Sequence, residues 1–213
     1  MEKQGAGAAL NNNPTLAKEI ITATHKGAGN LPVSVKTRIG YSKNEIKSWL
    51  PCLLEENLAC LTIHLRTRKE MSDAPARWNL APEILKLRNK ISPETILIGN
   101  GDINSLDEAK LRVKESGFDG VMVGRGIFGN PWFFSGKVPS PAEKFKALKE
   151  HAELFEKMYK SDKNKKDGKL KNFDIMKKHF KAYVSGFDGA KDLRIKLMAA
   201  KNAAEVKRII ASF

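Results

Sequence analysis

Hydrophobic residues in the first two-thirds of the chain form short apolar runs that alternate with stretches of helical spacing. The runs that indicate strands cover residues 32–38, 60–64, 95–99 and 119–123. Apolar side chains recur at helical spacing over residues 13–26, 42–56, 82–90 and 105–116. Short apolar runs of this kind are typical of parallel strands that are buried on both faces, and their alternation with helices predicts an α/β fold.

The pattern changes after Pro139, where the strand-like runs stop. Long amphipathic stretches at residues 140–160 and 172–185 predict helices, and two shorter helices are expected to end the chain. A lysine-rich linker is predicted between the two long stretches, at residues 161–169. We therefore divide the chain into an α/β domain at residues 1–136 and a small all-helical domain at residues 137–213.

Charge is distributed unevenly between these two predicted domains. Residues 137–213 carry 20 Lys and Arg against 10 Asp and Glu, so they hold +10 of the total net charge of +14. A basic helical module of this kind favours nucleic acid as a partner. A lysine-rich solvated surface with no nucleic-acid partner remains the alternative on charge alone.

Cysteine content and hydropathy narrow the class of protein. Cys52 and Cys60 have no set of Cys or His partners at metal-ligand spacing, so we expect no metal site. Two cysteines in 213 residues do not indicate a disulfide framework, which favours a reducing, cytoplasmic location. No apolar run reaches the ~20 residues needed to span a bilayer, so we expect no membrane association.

Polar or glycine residues follow the predicted strands at the point where each one ends. Ligands of parallel α/β folds bind at the carboxyl ends of the strands, so these positions are expected to surround one site. In chain order they are Lys36 with Arg38, His64 with Arg66, Asn100-Gly101-Asp102 and Gly124-Arg125-Gly126.

The two glycine-containing turns are the most informative of these positions. Such turns let backbone N–H groups approach an anion at the start of a helix, and Arg125 adds a positive charge. Together with Lys36, they predict a phosphate-binding site. Each turn by itself could equally be a simple strand–helix connection that uses glycine for its backbone freedom.

The same residues carry a resemblance to the tRNA-dihydrouridine synthase family. The similar stretches are KQGAGAAL at 3–10, PVSVKTRIG at 32–40, HLRTRKEMSDAPARW at 64–78, ILIGNGDI at 96–103, DGVMVGRGIFGNPWFF at 119–134 and MKKHFKAYVSGFDGAKDLR at 176–194. The combination of GNGDI with the pattern GxMxGRGxxGNPW is far more specific than a single glycine-rich loop. The resemblance extends over nearly the whole chain.

The resemblance implies a fold and a chemistry that the residue pattern alone does not. The fold would be the C-terminal half, the last four strands, of a (β/α)8 TIM barrel, followed by a small helical tRNA-binding domain. The reaction would be the reduction of uridine in tRNA, with FMN as cofactor and NADPH as reductant. The implied FMN contacts are Lys36, His64, Asn100, Gly101, Asp102, Gly124 and Arg125, and the implied tRNA contacts are Arg66, Lys177, Lys178, Lys181 and Arg194.

Two departures from the family pattern affect these expectations. Leu65 stands where the family has glycine after the histidine, which could alter the fit beside His64. The family's catalytic cysteine lies in an N-x-G-C-P stretch that precedes KQGAG, and neither Cys52 nor Cys60 lies in such a stretch. We therefore assign no catalytic residue, and we expect the complete enzyme to supply a further N-terminal half-barrel.

Two other classes of function remain open at this point. Another phosphate-binding barrel enzyme, such as a dihydroorotate-type flavoenzyme or a sugar-phosphate isomerase, would explain the glycine turns but not the basic helical part. A non-catalytic RNA-binding module would explain the basic helices and predicts salt-dependent RNA binding without flavin.

Overall fold

The computed structural model describes residues 5–160 and 171–213. The chain forms two compact units, Met1–Arg125 and Gly126–Phe213. The linker predicted at residues 161–169 lies outside the described residues.

The first unit is an α/β structure with a parallel four-stranded sheet. Its strands stand side by side in chain order, β1-β2-β3-β4, and every neighbouring pair is parallel. A helix separates each strand from the next, which is the arrangement that the alternating pattern predicts. The elements are α1 (Pro14–Ala28), β1 (Ser34–Arg38), α2 (Ile46–Leu54), β2 (Cys60–His64), α3 (Ala81–Ile91), β3 (Ile96–Asn100), α4 (Leu106–Ser116) and β4 (Gly120–Met122).

Side chains that alternate along the strands explain where the core of this unit lies. Leu61, Ile63 and Leu97 point to one face and are at most 1% exposed, because that face packs against the helices. The other face is more open: Ile96 is 48% exposed and Lys36 is exposed. The strands were predicted to be buried on both faces, and the described residues of this chain cover only one of them. An apolar run does not reveal which of its two faces is covered.

Local sequence signals account for the ends of several helices. The Asn13 side chain accepts a hydrogen bond from the Leu16 N–H at the start of α1, and Ser105 accepts one from the Glu108 N–H at the start of α4. Helix α2 continues through Pro51, and its apolar side is buried as predicted.

In its described part, the second unit is built from helices: α5 (Pro141–Lys160), α6 (Lys177–Tyr183), α7 (Ala190–Ala199) and α8 (Ala203–Ala211). They enclose a separate core around Leu148, Phe180 and Leu193, each of which is 0% exposed. The unit begins before the predicted boundary at residue 137, because the preceding loop packs on α6. Phe128 contacts the ring of His179, and a Cβ added at Gly129 would lie 2.4 Å from the Ala182 backbone.

Hydropathy of the helices bears on membrane association. Within residues 5–160 and 171–213, none of the helices is both long and apolar enough to cross a bilayer.

Candidate functional site

The carboxyl ends of the strands meet at one edge of the sheet. The register pairs Arg38 with His64, His64 with Asn100, and Asn100 with Met122. This register places most of the predicted cofactor residues on adjacent strands. We call the group formed by Lys36, Arg38, His64, Asn100–Asp102, Gly124 and Arg125 the strand-end rim.

Lys36 and Asn100 are joined directly, although they are separated by β2. The Lys36 Nζ donates to Asn100 Oδ1 at 3.2 Å, and the Asn100 amide donates to the Met122 carbonyl at 2.8 Å. Although part of Lys36 is exposed, the loss of water around its ammonium group, followed by the nearby charge of Arg38, lowers its pKa from the ordinary value. An anion placed beside Lys36 would offset both effects, so this position favours a negatively charged ligand.

Asp102 is held by the loop that follows β2. The Arg66 Nη2 donates to both carboxylate oxygens at 2.6 Å, and the Ala76 N–H donates to Oδ2 at 2.8 Å. Burial would raise the pKa of Asp102, but the hydrogen bonds from Arg66 and Ala76 and the neighbouring positive charges bring it below its usual value. Because these contacts occupy its carboxylate, Asp102 shapes the rim as an anchored anion.

The glycine turn after β3 packs closely against the loop that follows β2. Gly101 has a φ of +136°, and a Cβ there would lie 2.6 Å from Cβ of Ala76. Asp102 has a φ of +53°, which is uncommon for a residue with a side chain. The Trp78 Nε1 donates to the Gly101 carbonyl at 3.1 Å, so this aromatic side chain helps to orient the turn.

Three cations lie near His64. Burial, then Arg38, Lys36 and Arg66, lowers its pKa to about 4, although Asp102 opposes the change. The imidazole is therefore neutral at physiological pH. It contributes hydrogen bonding to the rim and no positive charge.

The turn after β4 is the most accessible part of the rim. Arg125 keeps 64% of its side chain exposed while its Nη2 lies 3.5 Å from Asp102 Oδ1. A Cβ added at Gly124 would meet no atom within 4 Å, so space is open above this backbone. An exposed guanidinium beside open backbone is an arrangement that can receive a phosphate group.

The sequence placed Arg38 among the strand-end positions but not among the implied cofactor contacts, and the family resemblance assigned Arg66 to tRNA. The Arg38 Nη1 donates to the Thr67 carbonyl at 2.8 Å, and Arg38 lies two residues from Lys36 on the same face of β1, which was the available signal. The Arg66 side chain is only 3% exposed and is surrounded by internal partners. Its burial leaves little of the guanidinium accessible to solvent.

A cavity of about 350 Å³ lies beside β1, and its lining is mainly apolar. Lys36 and Arg38 line it together with Val35, Trp49 and Leu53. The residues of the two glycine turns are not part of this cavity, so it adjoins the strand-end rim on the β1 side only.

The other predicted tRNA contacts lie on the second unit. Lys178 and Lys181 are exposed on α6, and Lys177 forms an ion pair with Asp174 at 2.7 Å. We call these three lysines the α6 basic face. The Arg194 Nη1 donates to the Val184 carbonyl at 2.9 Å, which ties α7 to the end of α6.

In the described ranges, His, Cys, Asp and Glu form no group of three or more that could hold a metal ion. Both cysteines are free thiols, and the Cys52 Sγ donates to the Ser48 carbonyl at 3.1 Å.

Comparison with known proteins defines the class to which this fold and rim belong. The family model described as dihydrouridine synthase (Dus) matches residues 1–212, and the chain belongs to this family. It is 43% identical over 215 residues to a probable tRNA-dihydrouridine synthase of Staphylococcus aureus (strain Mu50 / ATCC 700699), covering 99% of this chain and 62% of the relative. It is 40% identical over 212 residues to a probable tRNA-dihydrouridine synthase 2 of Bacillus subtilis (strain 168), covering 98% of this chain and 62% of the relative.

A Staphylococcus epidermidis relative (strain ATCC 12228 / FDA PCI 1200), also described as a probable tRNA-dihydrouridine synthase, is 42% identical, with 99% of this chain and 63% of the relative covered. The chain thus spans somewhat less than two-thirds of the length of these curated relatives. The resemblance seen in the motifs is confirmed at the level of the family.

Proposed function

We propose that this chain serves an FMN-dependent enzyme that reduces uridine to 5,6-dihydrouridine in tRNA, with NADPH as the reductant. The observation that carries the proposal is the strand-end rim, in which Lys36, His64, Asn100 and Arg125 meet at one edge of the sheet. The printed names of the relatives support tRNA as the substrate.

The chemistry of the rim fits a flavin mononucleotide. Gly124 and Arg125 offer open backbone and an exposed guanidinium to its phosphate, and Lys36 offers an ammonium group to its ring. The N–H groups of the turn at Gly101 and Asp102 are further donors for the cofactor. When bound, FMN would supply the hydride chemistry that no amino-acid side chain provides.

Residues of the chain would act by binding and by electrostatics. The ammonium of Lys36 would stabilise negative charge that develops on the reduced ring, because a positive group in a partly buried site acts strongly on nearby charge. His64, which is neutral, would contribute a hydrogen bond. Cys52 and Cys60 lie outside an N-x-G-C-P stretch, so we assign neither of them the role of proton donor.

The helical unit would bind the tRNA backbone. Lys178 and Lys181 are exposed on one short helix, and residues 137–213 carry most of the net positive charge. Phosphate contacts of this type give affinity without sequence specificity. Catalysis of a base reaction within a folded tRNA would also require the uridine to leave its stack.

We further propose that the sheet forms the last four strands of a (β/α)8 barrel. Four parallel strands in sequential order with helices on one face are the repeating arrangement of such barrels. The more open face, with Ile96 and Lys36, would then point into the barrel. The enzyme is expected to act in the cytoplasm, where tRNA and NADPH are available.

An FMN titration followed by flavin absorbance tests the cofactor. Saturable binding with a shifted flavin spectrum is expected, and Arg125→Gln should weaken it by about tenfold, as expected for one charge-assisted hydrogen bond. Lys110→Gln is the control, because it removes a 78%-exposed cation from the same unit. No flavin binding together with salt-dependent tRNA binding would instead favour the non-catalytic RNA-binding function.

Turnover is tested separately, by measuring dihydrouridine formed in tRNA with NADPH and FMN present. Dihydrouridine formation that requires both compounds is the expected result for the enzyme that contains this chain. Formation that persists without added or bound flavin would contradict the proposal.

A further inference from the structure

Arg66 is almost entirely enclosed by the turn residues that it organises. Its Nε donates to the Ala74 carbonyl, and its Nη2 donates to both Asp102 oxygens at 2.6 Å. Its side chain is only 3% exposed. Three fixed acceptors hold the planar guanidinium in one orientation, so the direction of its remaining N–H groups is also determined.

The Arg66 Nη1 faces His64. It lies 3.3 Å from the His64 Nε2. A guanidinium has N–H donors and no acceptor, so the His64 Nε2 must be the acceptor in this hydrogen bond. A neutral imidazole that accepts at Nε2 carries its proton on Nδ1, and an imidazolium could not accept at all.

The surrounding charges also favour the neutral form of His64. The groups facing His64 are Lys36 and Arg38 from β1, Arg66 from the loop after β2, and Asp102 from the loop after β3. Burial and the three cations disfavour the imidazolium, and Asp102 is already occupied by Arg66 and the Ala76 N–H. The charged form of His64 therefore has no free carboxylate to stabilise it among these neighbours.

We propose that Arg66 is a positioning residue that holds His64 as the neutral Nδ1–H tautomer, so that His64 presents one N–H donor to the ligand of the strand-end rim. Such a donor selects an acceptor atom, namely a carbonyl oxygen or a ring nitrogen. The tautomer itself does not depend on the identity of the ligand. Its use in contacting a flavin ring rests on the proposed function.

Space for this pair comes from Gly101. A Cβ at that position would lie 3.4 Å from the His64 Cδ2 and 3.6 Å from the Arg66 Nη1. Any larger side chain would press on the two groups whose hydrogen bond sets the tautomer.

Long-range ¹H–¹⁵N NMR of the imidazole rings tests the proposal in the flavin-free chain. The chain has only four histidines, and His64→Gln identifies the signals of His64. We expect protonated Nδ1 and unprotonated Nε2, unchanged from pH 7.5 to about 5, which follows from a pKa of about 4. Protonated Nε2 as the main form, or titration near the ordinary histidine value, would overturn the proposal.

A matched pair of variants separates the hydrogen bond from the charge. Arg66→Lys keeps the positive charge but loses the planar fork, so the Nε2–H tautomer should become populated while His64 stays neutral at pH 7. Arg77→Lys makes the same change in the same loop, where Arg77 pairs with Glu70, and should leave the tautomer of His64 unchanged. Equal spectra for the wild type and Arg66→Lys would show that Arg66 does not set the tautomer.

Flavin affinity provides a second readout that distinguishes this proposal from the proposed function. If FMN binds, Arg66→Lys should weaken it by about tenfold, the effect of one hydrogen bond, and Arg77→Lys by less than about twofold. Should Arg66→Lys fail to fold, the wild-type NMR result alone decides the question. FMN binding with the wrong tautomer would refute the role of Arg66 and leave the proposed function standing.

Discussion

The strand-end rim and the α6 basic face are both rich in positive charge, but they hold that charge in different ways. In the rim, Lys36 donates to Asn100 and Arg38 donates to a backbone carbonyl, and the neighbouring Arg66 is 3% exposed, so these three cations are held by the fold. Arg125 is the rim cation that stays 64% exposed. On α6, Lys178 and Lys181 are exposed. The first arrangement positions individual atoms, and the second presents positive charge to solvent.

This difference decides which ligand each region suits. A cofactor with a defined shape requires donors at fixed positions, which side chains locked by hydrogen bonds can supply. A nucleic-acid backbone is bound by charge density that tolerates movement of the side chains. Net charge alone could not have made this distinction, because both regions are basic.

The largest effect is expected at Gly129, where the loop before α5 meets α6. Gly129→Ala would place a Cβ 2.4 Å from the Ala182 backbone at a φ of +69°, and we expect it to destabilise the helical unit by about 3 kcal/mol. Gly186→Ala is the control: its φ is +82° with no atom within 4 Å, so only about 1 kcal/mol is expected. Urea unfolding of both variants measures the difference, and equal losses would show that the close packing at Gly129 contributes nothing.

Asp102→Asn tests whether the charges of the rim are structural. It leaves the buried Arg66 guanidinium without its counter-ion, so we expect a loss of about 2–3 kcal/mol, somewhat below the value for a fully buried pair because the carboxylate is 31% exposed. Lys178→Gln on the α6 basic face should change stability by less than about 0.5 kcal/mol. Denaturant unfolding compares them, and similar losses would remove the distinction between the two regions.

Removal of Lys178 and Lys181 together tests the use of the α6 basic face. If both contact phosphates, the Lys178→Gln/Lys181→Gln variant should bind tRNA more weakly and reduce the slope of log K against log salt by about 2. The control is Lys26→Gln, which removes an exposed lysine from α1 in the other unit. Binding titrations over a range of salt concentrations provide the slopes, and a slope equal to that of the wild type would place the tRNA elsewhere.

A smaller, pH-dependent effect is expected from two histidines of the helical unit. The rings of His151 and His179 lie 4.7 Å apart, and Tyr183 lies 3.4 Å from His151 Nδ1. Burial lowers the pKa of His151, and burial, His151 and Lys178 lower the pKa of His179.

The folded pKa of each of these histidines therefore lies below the value of ~6.5 in the unfolded chain. The stability that the two neutral histidines contribute to the fold is fully present above pH 6.5. It is lost as the pH falls from there through their folded pKa values. Hydrogen exchange of α5 and α6 should show less protection at pH 5.5 than at pH 7.5. The His179→Gln variant should make this difference smaller. Protection that increases as the pH falls would contradict the assignment.

Sequence predicted the parts of the molecule that depend on neighbouring residues. The apolar runs bounded by glycine or polar residues located β1 to β4. The stretch at 172–185 was predicted as one helix, but Asn172 caps a separate turn, Phe173–Met176, before α6 begins. Periodicity does not distinguish a 3-10 turn from the first turn of an α-helix.

The internal contacts of the rim could not be predicted in this way. Arg66 and Asp102 are 36 residues apart, and Trp78 and Gly101 are 23 apart, so neither pair leaves a local pattern. Strand order brought the strand ends together as expected, but only the three-dimensional contacts show that Arg66 is buried while Arg125 remains exposed.

The most direct test of the two-region account is an FMN titration of Lys36→Gln beside Lys181→Gln, two variants that each remove one lysine charge. The account predicts about tenfold weaker FMN binding for Lys36→Gln, as expected for one charged hydrogen bond, and no change beyond about twofold for Lys181→Gln. Equal weakening in both variants would show that general charge attracts the flavin. Unchanged binding in Lys36→Gln would show that the strand-end rim is not where it binds.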